Sequence, residues 1–350
     1  MRRLFVTRTV RLFAYGALSV ILVVYLTTLG LGAARVGALL TLTLAGDTAV
    51  SLWLTTRADR VGRRRMLVVG AILMAAAGIA FAATRNFLLL TIAGTIGVIS
   101  PSGNEVGPFL PIEQAALSQV VPATSRTGVF AWYQLAGAFA TALGSLCGGV
   151  LSHGLQRVAL TPVASYRAVV LGYAALGLVL AGVFGRLSPV VEVPAAAAHD
   201  SATTGLGRSR TIVLKLAALF GLDAFAGGFV VQSFAAYWFY LRFGLNPAAL
   251  GTIFFGANVF AGISALAASR LAARFGLVRT MVFTHLPSNV LLMLVPLMPT
   301  LALAVLVLLL RFSISQMDVP TRQSYVMAVV RPNERSAAAG VTGVARTMGA

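Results

Sequence analysis

Apolar residues run along this chain in blocks of about twenty, and short polar breaks separate the blocks. A helix needs roughly 20 mostly apolar residues to cross the hydrocarbon of a bilayer. The blocks therefore predict membrane-spanning helices at 9–30, 37–57, 66–84, 87–104, 127–151, 164–185, 213–241, 248–270, 280–298 and 301–317, with an eleventh beginning near Ser336. The breaks carry loop chemistry, such as Gly30-Leu31-Gly32, Arg85-Asn86 and Asn246-Pro247. The longest polar connection, 188–210, holds Pro189, Pro194 and an alanine run, and reads as a flexible linker. It divides the chain into an N-terminal bundle (1–186), a cytoplasmic linker (187–212) and a C-terminal bundle (213–350). The expected fold is an all-α membrane protein of two parallel six-helix repeats, with about 10.5 of 12 transmembrane helices present. The basic N-terminus resembles the start of a signal peptide, but the apolar run after it is too long and lacks a cleavage site, so it reads as a retained first helix.

Composition agrees with a lipid solvent. Of 350 residues, 58% are hydrophobic and 10% charged, where a soluble domain carries about a quarter charged residues. The net charge of +18 would suit nucleic acid, but its distribution serves topology instead. Alternating the loops places twenty basic residues on the face that holds the N-terminus, five (Arg35, Arg85, Arg157, Arg167, Arg242) on the other, and Arg311 and Arg346 inside spans. That bias makes the first face cytoplasmic. Cys147 is the single cysteine, which excludes a disulfide framework and a thiolate metal site.

The halves repeat. Leu29-Gly-Leu-Gly-Ala-Ala-Arg-Val-Gly37 aligns with Phe243-Gly-Leu-Asn-Pro-Ala-Ala-Leu-Gly251 at an offset of 214, as do Arg60-Val-Gly62 with Arg274-Phe-Gly276 and Arg65 with Arg279. Pro111, Gln114, Val120-Val121 and Arg126 match Pro320, Gln323, Val329-Val330 and Arg335 at an offset of 209. Parallel repeats of this kind are a transporter architecture.

The loop Asp59-Arg60-Val61-Gly62-Arg63-Arg64-Arg65 resembles the signature loop of the major facilitator superfamily: an acid, a base, a glycine and a basic cluster. Gly62 suits a turn that other residues resist, and the arginines suit a headgroup region. The resemblance implies that Asp59 faces the N-terminal end of the eleventh helix, whose dipole favours an anion. The family's usual glycine four residues before the acid is Thr55 here, which implies a looser helix approach, and Ala273 replaces the acid in the second copy. Ala140, Gly144, Gly148 and Gly149 in the fifth span resemble the glycine–proline motif of the antiporter branch, with Ser145 at the proline position; close helix packing explains them equally well. The stretch from Met317 to Tyr325 is similar to a group of bacterial facilitator permeases.

Ionisable residues inside spans are costly and are functional candidates by default. Asp47 and Asp223 are the proton-coupling candidates, Asp47 first, and Arg311 is placed to attract an anionic substrate or pair with either acid. Gln232, Asn258, Asn289, Tyr133 and Gln134 join Arg311 as candidates for lining a substrate cavity. A cytoplasmic gate is expected from Glu105, Glu113 and Gln114 in one half and Asp318, Arg322 and Gln323 in the other. Glu113 and Arg322 occupy one repeat position with opposite charges, which invites an ion pair between the halves; a solvated loop is the plainer alternative. His153 and His199 are in loops and His285 stands alone, so no metal constellation is expected, and no Gly-Lys-Ser/Thr phosphate loop is present.

These features point to a secondary active transporter of a small organic solute, coupled to protons or another ion, working by alternating access in the cell (inner or plasma) membrane with a cytoplasmic N-terminus. The glycine pattern favours drug or metabolite efflux by a bacterial antiporter; a metabolite symporter or uniporter is the rival. A monomer in the lipid bilayer is expected, with no cofactor, no metal, no nucleic acid and no enzymatic activity. Because the eleventh span stops after about 15 residues, a C-terminal truncation is expected, and a non-transporting sensor or non-functional fragment is the alternative of another class.

Overall fold

The computed structural model describes residues 1–99, 107–193, 206–228, 238–239, 241–244 and 247–349; no strand occurs among them. Seven helices precede the linker: α1 (Arg2–Thr28), α2 (Ala33–Val61), α3 (Arg63–Ala83), α4 (Phe87–Ile96), α5 (Phe109–Val120), α6 (Arg126–Arg157) and α7 (Pro162–Gly185). Six more are described after it: α8 (Arg210–Gly228), α9 (Pro247–Phe275), α10 (Leu277–Leu294), α11 (Leu301–Ser315), α12 (Asp318–Val329) and α13 (Arg335–Gly349). Seven helical stretches among the described residues are long and apolar enough to cross a membrane. Several begin where the polar breaks supply caps. Asn86 accepts from the Leu88 and Leu89 amides at the start of α4, and Thr161 caps α7 with Pro162 at its first position. Large apolar side chains face outward, as lipid requires: Phe283 is 71% exposed and Leu222 66%.

The helices outrun the spans that hydropathy outlines. The first begins at Arg2 and takes in Arg8 and Arg11, both buried. A hydropathy window stops at such cations, whereas the helix runs through them, and Arg11 finds a buried partner in Glu113. The span expected at 301–317 likewise continues past Ser315 into α12, and the segment with Glu113 and Gln114 is the helix α5 rather than a solvated loop. Both residues are buried.

Element boundaries repeat as the sequence blocks do. At an offset of 209, α5 coincides with α12 at both ends, and the 3-10 turn Ala123–Ser125 coincides with Pro332–Glu334. At an offset of 214, the α2–α3 junction at Gly62 coincides with the α9–α10 junction at Gly276. Both glycines have positive φ, 119° and 84°, which lets one helix end and the next restart within a residue.

The chain forms two compact units. The first comprises Met1–Val120, Ala136–Thr211 and Val330–Val344. In it α3 and α1 pack on α7, and α2 packs on α4. Helices α1 and α6 meet backbone to backbone: a Cβ at Gly16 would collide with the Thr141 carbonyl, and one at Gly144 with the Phe13 carbonyl. Gly144 and Gly148 of the fifth span therefore serve close packing. The second unit comprises Val121–Leu135, Ile212–Val329 and Ala345–Ala350. There α9 and α10 pack on α11 and α12 around Phe239, Ala257, Ala304, Leu308 and Phe312. Thr127 at the start of α6 donates to Ser324 of α12 at 2.9 Å.

Candidate functional site

In the first unit Asp59, in the last turn of α2, is a hub. Its Oδ1 accepts from Arg63 Nε at 2.7 Å and from the Ser336 hydroxyl at 2.7 Å, and its Oδ2 accepts from the Ser336 amide at 2.8 Å. Ser336 lies in the first turn of α13, so the carboxylate sits at the positive end of that helix dipole. The resemblance placed all the loop arginines among headgroups, but only Arg60, Arg64 and Arg65 are exposed. Arg63 is fully buried and donates to the carbonyls of Ala115, Val191 and Pro332. Glu192, from the start of the linker, caps α3 by accepting from the amides of Arg63 (2.7 Å) and Arg64 (3.0 Å). The other end of the linker is tied as well: the Ser209 amide donates to Glu334 at 3.0 Å. Thr55 does not loosen the α2–α13 approach. Gly340 faces it, and a Cβ there would overlap Thr55 Oγ1, so the small residue has moved to the partner helix.

Deeper in the same unit, Arg11 and Glu113 form a forked ion pair, Nη1 to Oε1 at 2.9 Å and Nη2 to Oε2 at 2.7 Å, with both side chains fully buried. Thr7 donates to Oε1 at 2.9 Å, and the guanidinium lies 4.8 Å from the centre of the Phe109 ring. Within the first unit Glu113 is thus paired with α1, and within the second Arg322 is held by Asp318 one turn away.

Asp47, on α2, is 5% exposed. It takes a hydrogen bond from the Gly107 amide, and its Oδ1 has no hydrogen-bond partner among the described residues. Tyr173, within electrostatic reach, donates to the Val98 carbonyl at 3.0 Å and stacks on Tyr15 with centroids 6.3 Å apart.

The second unit gathers charges that stand far apart in the sequence. His285 Nε2 lies 2.9 Å from Asp223 Oδ1 and its Nδ1 4.0 Å from Asp318 Oδ2. Arg322 Nη1 reaches Asp318 Oδ2 at 2.7 Å and Asp223 Oδ2 at 4.0 Å, and Arg346 Nη1 stands 3.5 Å from Asp223 Oδ2. Phe220 lies under the Arg322 guanidinium at 5.5 Å. Four helices, α8, α10, α12 and α13, therefore contribute to one cluster. Asp318 and Arg322 form its buried floor, while Asp223, His285 and Arg346 form a rim about one-third exposed. His285 is not alone, as its isolation in sequence suggested. The signal for it was the same as for Asp47, an ionisable side chain inside a span.

Other candidates stand apart. Arg311 on α11 lies 4.7 Å from the ring of its neighbour Phe312. Asn289 is exposed between Leu286 and Val290 on an apolar face, Tyr133 is buried, and Gln134 and Gln323 are half-buried. Asn258 lies on α9, its side chain outside the description, and Gln232 and Glu105 lie outside the described residues. No group of three metal-ligating side chains occurs among the described residues.

The chain matches the model of the Major Facilitator Superfamily over residues 4–350. It is 30% identical to the uncharacterized membrane protein YJR124C of Saccharomyces cerevisiae, covering 96% of this chain and 82% of that protein. Two solved structures share its fold. The human organic anion transporter MFSD10 (TETRAN) gives a TM-score of 0.69 at 16% identity, over 99% of this chain and 91% of that one. A bacterial homologue of the iron transporter ferroportin, outward-facing, gives 0.70 at 14%, over 99% and 89%. With the repeated helices, the Asp59 loop and a family match across nearly its whole length, this chain belongs to the major facilitator superfamily.

Proposed function

We propose that this protein is a proton-coupled secondary transporter of a small organic solute, working by alternating access in the plasma membrane with its N-terminus cytoplasmic. Two bundles, 1–186 and 213–350, joined by the linker 187–212, are its moving parts. Transporters with the same fold support the general reading. Coupling rests on Asp47. An aspartate buried inside a spanning helix, with one carboxylate oxygen bare of hydrogen bonds among the described residues, is costly as an anion. Taking up a proton relieves that cost, so the residue alternates most readily between two charge states. The test uses proteoliposomes loaded with a pH-sensitive dye and offered carboxylates, sugars and amphiphilic cations in turn. Wild type moves protons with at least one solute class, and Asp47→Asn reduces that movement at least tenfold. Undiminished proton movement in the variant removes Asp47 from the mechanism.

A proton–metabolite symporter is the second reading, favoured over efflux by one observation. Gly144 and Gly148 of the fifth span, part of the pattern that suggests antiport, pack against the α1 backbone, and Ser145 donates to the Gly16 carbonyl at 3.2 Å.

A further inference from the structure

The five-residue cluster of the second unit holds two carboxylates (Asp223, Asp318), two guanidiniums (Arg322, Arg346) and one imidazole (His285). With His285 neutral the cluster sums to zero. With His285 protonated it carries one excess positive charge, which a low-dielectric site does not hold cheaply without an anion. Arg346 is the under-used cation. Its Nη1 is buried, faces Asp223 at 3.5 Å and makes no hydrogen bond among the described residues.

We propose that this cluster binds the carboxylate of a small organic anion together with one proton on His285. The proposal rests on the transporter reading, since it names the solute class. His285 takes its proton from water. The imidazolium then holds Asp223 through Nε2 and faces Asp318 through Nδ1, so Asp223 no longer needs Arg346. The Arg346 guanidinium turns to the incoming carboxylate and pairs with it in a fork, the geometry guanidinium suits best. The body of the ligand lies against Phe220, and the complex is neutral overall. The charged groups facing His285 are Asp223 from α8 and Asp318 and Arg322 from α12. Helices α9 and α11 also pack on α10, and place no acid within ion-pair distance of His285 among the described residues.

Because proton and ligand favour each other, affinity falls as pH rises through the imidazole range, by about tenfold per unit once the free site is deprotonated. An unperturbed histidine titrates near pH 6.5, so the comparison runs from about pH 6 to about pH 8. Benzoate is titrated calorimetrically into the full chain in nanodiscs, in two buffers of different ionisation enthalpy. The expected result is binding at about pH 6 that weakens at least tenfold by about pH 8, with one proton taken up per benzoate at the higher pH. Benzyl alcohol, which lacks the charge, does not bind. Arg346→Gln weakens benzoate at least tenfold at both pH values while its thermal unfolding shows an intact fold. His285→Gln binds weakly with no pH dependence, whereas His285→Lys, permanently charged, binds at both pH values. Absent benzoate binding at about pH 6, binding without proton uptake, equal binding of benzyl alcohol, or a wild-type pH profile in His285→Gln would each overturn the proposal. Equilibrium binding needs no flux. Benzoate that binds without proton-coupled flux therefore keeps this site and removes the transport reading, and coupled flux of a sugar or cation without benzoate binding does the reverse.

Discussion

Glu113 of α5 and Arg322 of α12 stand at the same repeat position, each facing the first helix of its own half across an ion pair. In the first unit the acid is on α5 and the base, Arg11, on α1. In the second the signs are exchanged, with Arg322 opposite Asp223 of α8. The surroundings differ more than the signs. Arg11 and Glu113 are fully buried and matched oxygen to nitrogen, with Thr7 as a third partner. Asp223 and Arg322 are 4.0 Å apart and share partners with His285, Asp318 and Arg346. A fully buried, forked pair is closed to a ligand and acts as structure. A shared, partly exposed network can exchange partners, which is what binding requires.

The largest effect should come from breaking the buried pair. Glu113→Ala leaves Arg11 charged and unpaired in a buried site, a loss of about 3–5 kcal/mol. Asp318→Ala removes a partner from a network where Arg322 still has Asp223 and Phe220, and should cost about 1 kcal/mol. Thermal unfolding of the purified protein in detergent reads both. Equal losses would mean that the second network is as rigid as the first pair, and the contrast between the units would fall.

Next comes the Asp59 hub. Asp59→Asn keeps the shape but removes the charge that binds Arg63 and the start of α13, and should cost about 2 kcal/mol, the scale of a charge-assisted hydrogen bond. The same unfolding assay reads it, together with faster proteolysis within 330–344. A variant as stable as wild type would show that the dipole and the Arg63 carbonyl contacts hold the loop without Asp59.

Much of this hub was legible in the sequence, because its parts sit in one short loop whose spacing is itself the signal. The helical repeat, its offset and the place of Asp59 all follow from local pattern. What was not legible depends on contacts between distant helices. Nothing in the surroundings of His285 in sequence brings Asp223, 62 positions earlier, or Arg346, 61 later, to the same place. The burial of Arg63 among three exposed arginines was equally hidden, since composition treats the four alike and only the carbonyls of Ala115, Val191 and Pro332 distinguish one. Thr55 misled for the same reason: a close helix contact needs one small residue, and a single helix does not reveal that Gly340 supplies it.

Gly340→Ala tests that exchange. The added methyl meets Thr55, which is fixed by its own bond to the Ser51 carbonyl at 2.7 Å. Overpacking should cost about 1–2 kcal/mol. Thr55→Gly in the same chain should recover most of it, because the two sites share one contact and their effects are not additive. Additive losses in the double variant would place the strain elsewhere on α13.

The smallest effect should come from giving the second unit the acid it lacks. Gly276 repeats the turn of Gly62, and Ala273 stands where Asp59 stands, but Ala273 and the residues around the turn are exposed. Gly276 itself provides no side-chain cap to α10. In Ala273→Asp the new carboxylate would sit in the last turn of α9, at the negative end of that helix dipole. An exposed substitution without partners should change stability by no more than about 0.5 kcal/mol in either direction. A gain well above that would mean that the second loop holds a receptor for the acid, as α13 does for Asp59. The two loops would then differ by one residue instead of by their whole setting.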